Sequence, residues 1–356
     1  MKVIRARNVH QALPEAIRQL KLEGVARDSR NGPVLVFPEP VTTVYERPAE
    51  RVLFWAERDA NPFFHLVESL WMLGGRNDVE FVARYVERMR SFSDDGVTFH
   101  GAYGWRWRKH FLFDQLPVII DALKKDPTDR RQVLSMWDAR ADLGRLGKDL
   151  PCNLQAIFQI APDGRLDMTV TNRSNDIIWG AYGANAVHFS YLHEYVARGV
   201  GVEQGIYRQV SANFHAYTEV LKTMEILAEH ANFDVPGMTV MDPYAWRKGM
   251  PEVEPYPLIS TDLEQWRDDL EMFMDNPTAM GLRDPFFRRV AVPMMLAHAA
   301  FKKTGQGEIR FDEAQQHLDN VKATDWQLAG KEWIERRRRA YLERQAKAND
   351  NGVAYE

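Results

Sequence analysis

Short β-branched runs and amphipathic segments are mixed along this 356-residue chain without the strict strand–helix–strand alternation of a parallel α/β fold. The patterns predict strands over residues 34–37, 52–55, 132–137, 154–160 and 166–171, and strand and turn over 203–214. They predict helices over 13–22, 79–92, 116–125, 186–198, 216–229, 261–274 and 284–303, with a further helix after a capping Asn61. We therefore expect an α+β fold in which helices stack on one mixed sheet.

The composition is that of a globular protein, with 45% apolar and 27% charged residues. The formal net charge of −4 argues against a chain built to coat nucleic acid or an anionic membrane. The first twenty residues lack the apolar segment of a signal peptide, and no stretch is apolar enough to span a membrane. We expect an intracellular, cytoplasmic protein.

Known nucleotide and metal motifs are missing from the sequence. Neither a GxGxxG fingerprint nor a Walker A sequence occurs. His188 and His193 share a predicted helix but are five residues apart, not four, so they would not share one face as a zinc pair does. We expect no metal.

Cys152 is the only cysteine, so it is either a small buried hydrophobe or a reactive thiol. Pro151 restricts the backbone just before it and presents it at a rigid strand entrance. About twenty residues later, residues 172–176 place five polar side chains between apolar segments, where burial is costly unless a ligand or partner satisfies them. There Arg173 is suited to activate a thiol or bind a phosphate, and Asp176 to transfer a proton.

Other polar residues each allow two interpretations. Glu68 lies among apolar residues of a helix, either buried with a raised pKa or on the solvent side. Arg130 and Arg131 suit a phosphate or an ordinary surface. His215 and Tyr217, two apart in an extended segment, would project on the same side. Residues 103–108 suit base stacking or plain aromatic packing, and the arginines at 336–339 a solvated helix face or nucleic acid.

Taken in chain order, these segments resemble the thymidylate synthase family, which includes the pyrimidine nucleotide hydroxymethylases. The resemblance covers residues 10–230, about two thirds of the chain. Its matching segments are Val67-Glu68-Ser69-Leu70-Trp71, Tyr103-Gly104 with Trp107-Arg108, Asp114-Gln115, Asp126-Pro127 with Arg130-Arg131, Ser135 with Trp137, Pro151-Cys152, Arg173-Ser174 with Asp176 and Gly180, and His215 with Tyr217.

The resemblance implies a role for each matched residue. Cys152 would add as thiolate to C6 of a pyrimidine, making C5 a nucleophile toward the one-carbon unit of 5,10-methylenetetrahydrofolate. Glu68 would organise water and move protons, Tyr103 would support proton removal at C5, and Asp176 would contact folate. The implied nucleotide ligands are Arg173 and Ser174 with Arg30 at the phosphate, Arg130 and Arg131 from the other subunit of a homodimer packed through the sheet, and His215 and Tyr217 at the sugar.

The chain departs from the family's methylating members in four places. Asn153 stands where those synthases usually carry histidine. Met89 and Phe92 take the places of two tryptophans, one of which shields the methylene intermediate from water. Asn185 is displaced by about one residue from the family's base-recognising asparagine, a residue type that pairs with uracil. The chain also continues as a charged extension instead of ending in the family's short apolar tail.

We therefore expect a homodimeric C5-hydroxymethylase of dUMP or dCMP, because water can add to an unshielded methylene. The alternatives are thymidylate synthesis itself and a catalytically silent relative that binds nucleotide or RNA. We expect a catalytic domain over residues 1–283 and a helical extension over 284–356. Hydroxymethylated pyrimidines serve modified viral DNA and some nucleoside antibiotics, and the sequence does not choose between these uses.

Overall fold

The computed structural model describes residues 1–231, 242–245 and 252–350. Its strands are β1 Lys2–Ala6, β2 Val25–Arg27, β3 Val34–Val36, β4 Val41–Tyr45, β5 Val133–Ser135, β6 Asn153–Ile160, β7 Leu166–Asn172, β8 Asn175–Asp176, β9 Gln204–Ser211 and β10 Phe214–Tyr217. Its α-helices are α1 Val9–Glu23, α2 Pro62–Leu73, α3 Val79–Ala83, α4 Tyr103–Trp105, α5 Gln115–Lys125, α6 Ala139–Asp142, α7 Asn185–Val200, α8 Thr218–Met224, α9 Leu263–Asp275, α10 Val292–Lys302, α11 Ile309–Asp319 and α12 Thr324–Asp350.

Two sheets organise the fold. The larger has the strand order β1-β4-β9-β7-β6-β5, with parallel pairs β1–β4 and β7–β9 and antiparallel pairs elsewhere. The smaller has the order β2-β3-β10-β8. This arrangement of parallel and antiparallel pairs confirms the α+β prediction. The strands form two sheets instead of the single mixed sheet expected, because β2, β3, β8 and β10 pair only with one another among the described strands.

One face of the larger sheet packs against helices, and the other is half-exposed along β7 and β9. Met168 and Val170 of β7 and Tyr207 of β9 point into the core, where α7 is buried over nearly its whole length. The alternate residues, such as Thr169 and Arg208, remain half-exposed in the described chain. This inside–outside alternation follows from the two-residue period of a strand.

Helix α1 contains a proline that its surroundings accommodate. Pro14 has no N–H to donate to the carbonyl of His10, four residues earlier. The indole Nε1 of Trp55 donates to that carbonyl instead, at 2.7 Å. A buried polar group thus keeps a partner despite the proline.

Most predicted elements are confirmed, but three differ. Residues 52–55 form no strand, because the Val52 N–H donates to Tyr244 Oη at 3.1 Å and the Phe54 N–H to His10 Nδ1 at 3.3 Å. The helix predicted over 79–92 is interrupted at Val86, which is extended (φ −137°, ψ 97°), and continues as a 3-10 segment. The helix predicted from 216 begins at Thr218, because the two residues before it pair with β3.

The C-terminal helices pack on the rest of the fold. The Trp333 ring of α12 meets the Phe63 ring of α2 edge-on, with centroids 5.5 Å apart, and both belong to one continuous buried apolar cluster. The division into 1–283 and 284–356 therefore stays a prediction, and residues 351–356 lie outside the described part. Residues 246–251 also lie outside it, and the described residues among 242–258 form neither helix nor strand. No helix in the described ranges is both long enough and apolar enough to cross a membrane.

Candidate active site

Cys152 lies where the chain enters β6, directly beside the end of β7. The register pairs Asn153 with Asn172, and the N–H of Arg173 donates to the Cys152 carbonyl at 2.9 Å. Two segments about twenty residues apart are therefore joined by the β6–β7 pairing, which brings the thiol next to the polar run of residues 172–176.

The guanidinium of Arg173 folds back over the segment that carries the thiol. Its Nε donates to the Pro151 carbonyl at 2.9 Å and its Nη2 to the Leu150 carbonyl at 3.2 Å. Burial raises the pKa of the Cys152 thiol above its ordinary value, and Asp149 adds to this, while the positive charges of Arg173 and Arg30 oppose it. Arg173 therefore acts in the expected direction, but in the free chain burial has the larger effect.

Tyr103 holds the backbone of the thiol segment. Its Oη accepts hydrogen bonds from the N–H of Cys152 at 3.1 Å and of Asn153 at 3.2 Å. Burial raises the pKa of the phenol well above its ordinary value, so the hydroxyl stays protonated near neutrality. The aromatic cluster at 103–108 thus contributes at least one polar contact to the site.

Asp176 and His215 lie side by side because β8 and β10 pair in parallel with these two residues in register. Asp176 Oδ1 accepts from the N–H groups of Ile178 and Trp179 at 2.8 and 2.7 Å. Its Oδ2 is buried and has no hydrogen-bond partner among the described residues. Burial raises the pKa of the Asp176 carboxyl and lowers that of His215.

His215 and Tyr217 project on the same side of β10, as predicted. Their rings meet edge-on with centroids 5.8 Å apart. Tyr217 Oη accepts from Asn31 Nδ2 at 3.3 Å, which brings the loop of Arg30 to this side of the site. Arg30 itself donates from Nη1 to the Gly147 carbonyl at 3.1 Å.

Glu68 points into the protein. Of its two interpretations, the one that put it on the solvent side of α2 is therefore wrong. Its side chain is 13% exposed, and its Oε2 lies 3.1 Å from Nε2 of His188. Neither atom has an aligned hydrogen-bond partner in the described structure. A carboxylate and an imidazole that face each other without full hydrogen bonding have capacity for a water or a substrate group.

The sequence analysis gave no role in the site to two residues of this region, His188 and Arg58. His188, treated above only as a rejected metal ligand, lies three residues after Asn185 on α7, a spacing that puts both on one helix face. Arg58 is buried, donates from Nε to the Ile178 carbonyl at 2.7 Å, and stacks 4.5 Å from the Trp179 ring centroid. Burial lowers the pKa of Arg58 to about 10. No local motif marks Arg58, because its partners are 120 residues away.

Asn185 contacts the residue that replaces the synthases' histidine. Its Oδ1 accepts from Asn153 Nδ2 at 3.2 Å, and its own Nδ2 donates to Asn175 Oδ1 at 3.0 Å. Asn185 is 8% exposed, at the N-terminus of α7. Two of the four departures from the family are therefore one hydrogen-bonded unit.

Arg130 and Arg131 lie far from the thiol of their own chain. The carbonyl of the next residue, Gln132, pairs with the Phe158 N–H, six residues along β6 from Cys152 and so about 20 Å away. Arg131 is 85% exposed and paired with Asp129 at 2.9 Å. The same chain thus cannot bring these arginines and Arg173 to one phosphate.

The remaining predicted residues have few contacts. Ser174 is half-buried in the turn between β7 and β8. Met89 packs against the core, whereas Phe92 is 44% exposed beneath the Arg88 guanidinium. Their placement in a folate site stays a prediction.

Comparison with known proteins agrees with this geometry. The thymidylate synthase family model matches residues 42–252, more than half of the chain, so the chain belongs to that family. Over all 356 residues, and the whole of the relative, it is 74% identical to a protein of Pseudomonas phage M6 named deoxyuridylate hydroxymethyltransferase. A protein of the same name from Bacillus phage SP01 is 40% identical over 51% of this chain and 50% of its own. A putative thymidylate synthase of Methanosarcina acetivorans is 26% identical over 65% of this chain and 96% of its own.

Proposed function

We propose that this protein is a folate-dependent C5-hydroxymethyltransferase of dUMP. The single observation that carries the proposal is the full-length 74% identity to a deoxyuridylate hydroxymethyltransferase, in a chain whose Cys152 lies beside Arg173 at the strand ends. We place its action in the cytoplasm of a phage-infected bacterium, where the named phage relatives would act.

Cys152 acts as the nucleophile in this proposal. Its thiolate adds to C6 of uracil, and the electron pair of the C5–C6 double bond passes to C5 and O4. Because burial raises the thiol pKa, the nearby cations Arg173 and Arg30 are needed to favour the thiolate. Tyr103 fixes the thiol's backbone from one side while Arg173 fixes it from the other.

Glu68 and His188 serve proton transfer near the base. Their facing oxygen and nitrogen atoms have no aligned partners among the described residues, so a water can join them in a hydrogen-bonded relay that reaches the pyrimidine O4. In this proposal the Tyr103 hydroxyl, which stays protonated near neutrality, assists removal of the C5 proton.

The nucleotide is held by cations at its phosphate and by β10 at its sugar. Arg173, Ser174 and Arg30 lie around the strand ends, and His215 and Tyr217 offer hydrogen-bonding groups on one side of β10. We propose that Arg130 and Arg131 complete the phosphate site of a second subunit. The half-exposed face of the larger sheet is the surface through which two copies would pack.

The folate side of the site fits its proposed ligand at one atom in particular. Asp176 Oδ2 is buried without a partner, and it is suited to accept from an N–H group of the pterin. Arg58 and Trp179 flank it with a stacked cationic and aromatic surface. When bound, 5,10-methylenetetrahydrofolate supplies the one-carbon unit, to which water then adds. We propose that Met89 and Phe92, which take the places of the family's two tryptophans, leave the methylene accessible to that water.

The two alternatives are less well supported. Thymidylate synthesis requires water to be excluded from the methylene. Met89 and Phe92, in the places of the family's tryptophans, do not favour that exclusion. Nucleic-acid binding through residues 336–339 requires free cations, yet each of the four arginines has a carboxylate partner: Asp59 for Arg336 and Arg337, Glu308 and Asp312 for Arg338, and Glu335 for Arg339.

The test is tritium release from 5-tritiated dUMP with methylenetetrahydrofolate, followed by product analysis. We expect release, 5-hydroxymethyl-dUMP and tetrahydrofolate, with no turnover by Cys152→Ser. Dihydrofolate formed at the rate of turnover would establish methylation instead. No release from either dUMP or dCMP would exclude both enzymatic functions.

Subunit complementation tests the shared site. Cys152→Ser and Arg131→Ala should each be strongly impaired alone. In a mixed dimer, the intact thiol of one subunit meets the intact arginine of the other, so mixing should restore up to about a quarter of wild-type activity when the subunits re-pair at random. Absence of recovery in demonstrably mixed dimers would place Arg131 outside the site.

A further inference from the structure

Five buried amide side chains form a continuous hydrogen-bonded row beneath the thiol segment. We call Asn172, Asn153, Asn185, Asn175 and Gln209 the amide row. Asn172 donates to Asn153, Asn153 to Asn185 (3.2 Å), Asn185 to Asn175 (3.0 Å), and Asn175 to Gln209 (2.7 Å). Each amide thus donates a hydrogen bond to the next amide in the same direction along the row.

The row fixes the orientation of every amide in it. Reversing Asn185 alone would set its NH₂ against the NH₂ of Asn153 and its oxygen against the oxygen of Asn175. Both contacts would lose a buried hydrogen bond and leave polar groups unpaired. All the amides therefore have to reverse together, or none does.

The backbone at Gly180 leaves room for one hydrogen bond of the row. A Cβ added to Gly180 would lie 2.8 Å from Asn175 Oδ1 and 3.3 Å from Asn185 Nδ2. Only glycine leaves room there for the Asn175–Asn185 hydrogen bond. At the far end, Gln209 Nε2 donates to Tyr207 Oη at 2.8 Å, so the row ends on a hydroxyl.

The orientation determines what Asn185 still offers to a ligand. One N–H of its amide is used by Asn175 and one lone pair of its oxygen by Asn153, which leaves one donor and one acceptor. With the Asn185 oxygen on the Asn153 side, the free lone pair of that oxygen suits N3–H of uracil, and the free N–H suits its O4. The reversed amide would instead suit the N3 and the amino group of cytosine at the same two positions.

We infer that Asn153 is a positioning residue that sets uracil over cytosine specificity by holding the Asn185 amide in one orientation. The inference rests on the proposed function, and it assigns to Asn185 the contact with the base that the family resemblance implies. Asn153 matters because its NH₂ is the donor to Asn185 Oδ1; the acceptor Asn175 secures the other end.

Two matched Asn→Asp substitutions test this, since both residues are at most 2% exposed and both variants add the same charge. Asn153→Asp removes the donor, so Asn185 can pair with it only by reversing. Asn175→Asp keeps the acceptor that Asn185 needs. The readout is the dissociation constant for dCMP divided by that for dUMP, both measured without folate by calorimetry. Asn8→Ala is the control for lost buried hydrogen bonds elsewhere.

We expect the preference for dUMP to fall by about tenfold or more in Asn153→Asp and to change less than threefold in Asn175→Asp and Asn8→Ala. Equal loss of preference in the two aspartate variants would attribute the effect to charge and overturn the inference. So would an unchanged preference in Asn153→Asp. If Asn153→Asp does not fold, Asn153→Ala, which also removes the donor, should lower the same ratio, and an unchanged ratio would again overturn it. Wild-type protein that binds neither nucleotide would refute the proposed function itself, a distinct outcome.

Discussion

The Oη of Tyr103 accepts hydrogen bonds from the backbone N–H groups of both Cys152 and Asn153, at 3.1 and 3.2 Å. One of these bonds fixes the proposed nucleophile, and the other fixes the residue that orients Asn185. A single phenol oxygen therefore contacts both the proposed nucleophile and the residue proposed to set base specificity.

Tyr103→Phe removes the acceptor from two backbone donors and the hydroxyl from the site. We expect kcat to fall at least about tenfold and the free energy of unfolding to fall by about 1–3 kcal/mol, as for buried donors left unpaired. Steady-state kinetics with dUMP and urea unfolding measure the two effects. Tyr85→Phe, at a half-buried tyrosine that packs on His298, should keep kcat; equal loss in both variants would contradict a specific role for Tyr103.

The thiol of the nucleotide-free enzyme should react slowly at neutral pH. Because burial raises the Cys152 pKa, its alkylation by iodoacetamide should still be accelerating above pH 9. Arg173→Ala removes an opposing charge and should shift the rate profile to higher pH, whereas Arg173→Lys should shift it less. A profile already at its plateau at pH 8 would contradict this assignment of the thiol environment.

Asp325 should make the protein less stable as pH rises toward neutrality. Burial raises the pKa of this carboxyl to about 7, well above its value in an unfolded chain. The folded state then binds the extra proton between about pH 4 and 7, so stabilisation is complete below that window and lost through pH 7. The free energy of unfolding of Asp325→Asn, measured in urea relative to wild type, should therefore increase by on the order of a few kcal/mol from pH 5 to pH 8. A difference independent of pH would disprove the assignment.

Arg337 on α12 pairs through both terminal nitrogens with Asp59, at 2.5 and 2.6 Å, next to the buried Arg58. Both partners are partly exposed, so the coupling should be small, about 0.5–1 kcal/mol. A double-mutant cycle of Arg337→Ala and Asp59→Ala on the free energy of unfolding measures it. Additive single effects would mean that the pair does not anchor the extension. Lys331→Ala, at an ion pair within the extension, is the control and should not couple to Asp59.

Local patterns predicted most of the fold because they depend on residues close in sequence. Strands β6 and β7, helix α5 and the Asn61 cap of α2 were all predicted from neighbouring side chains. The strand predicted over 52–55 failed because its backbone donors bind Tyr244 and His10, which are remote in sequence. Such long-range partners override local preference.

The sequence by itself determined the family, the single cysteine that we propose as nucleophile, and the order of the motifs around it, because each lies in a short segment. It did not determine which way Glu68 faces, nor that Asn153 contacts Asn185, 32 residues later. Those contacts exist only once β6, β7 and α7 pack together, and hydrogen-bond direction depends on every amide in the row. The chemistry was therefore encoded locally, and the orientation of the groups that select a substrate was decided by tertiary structure.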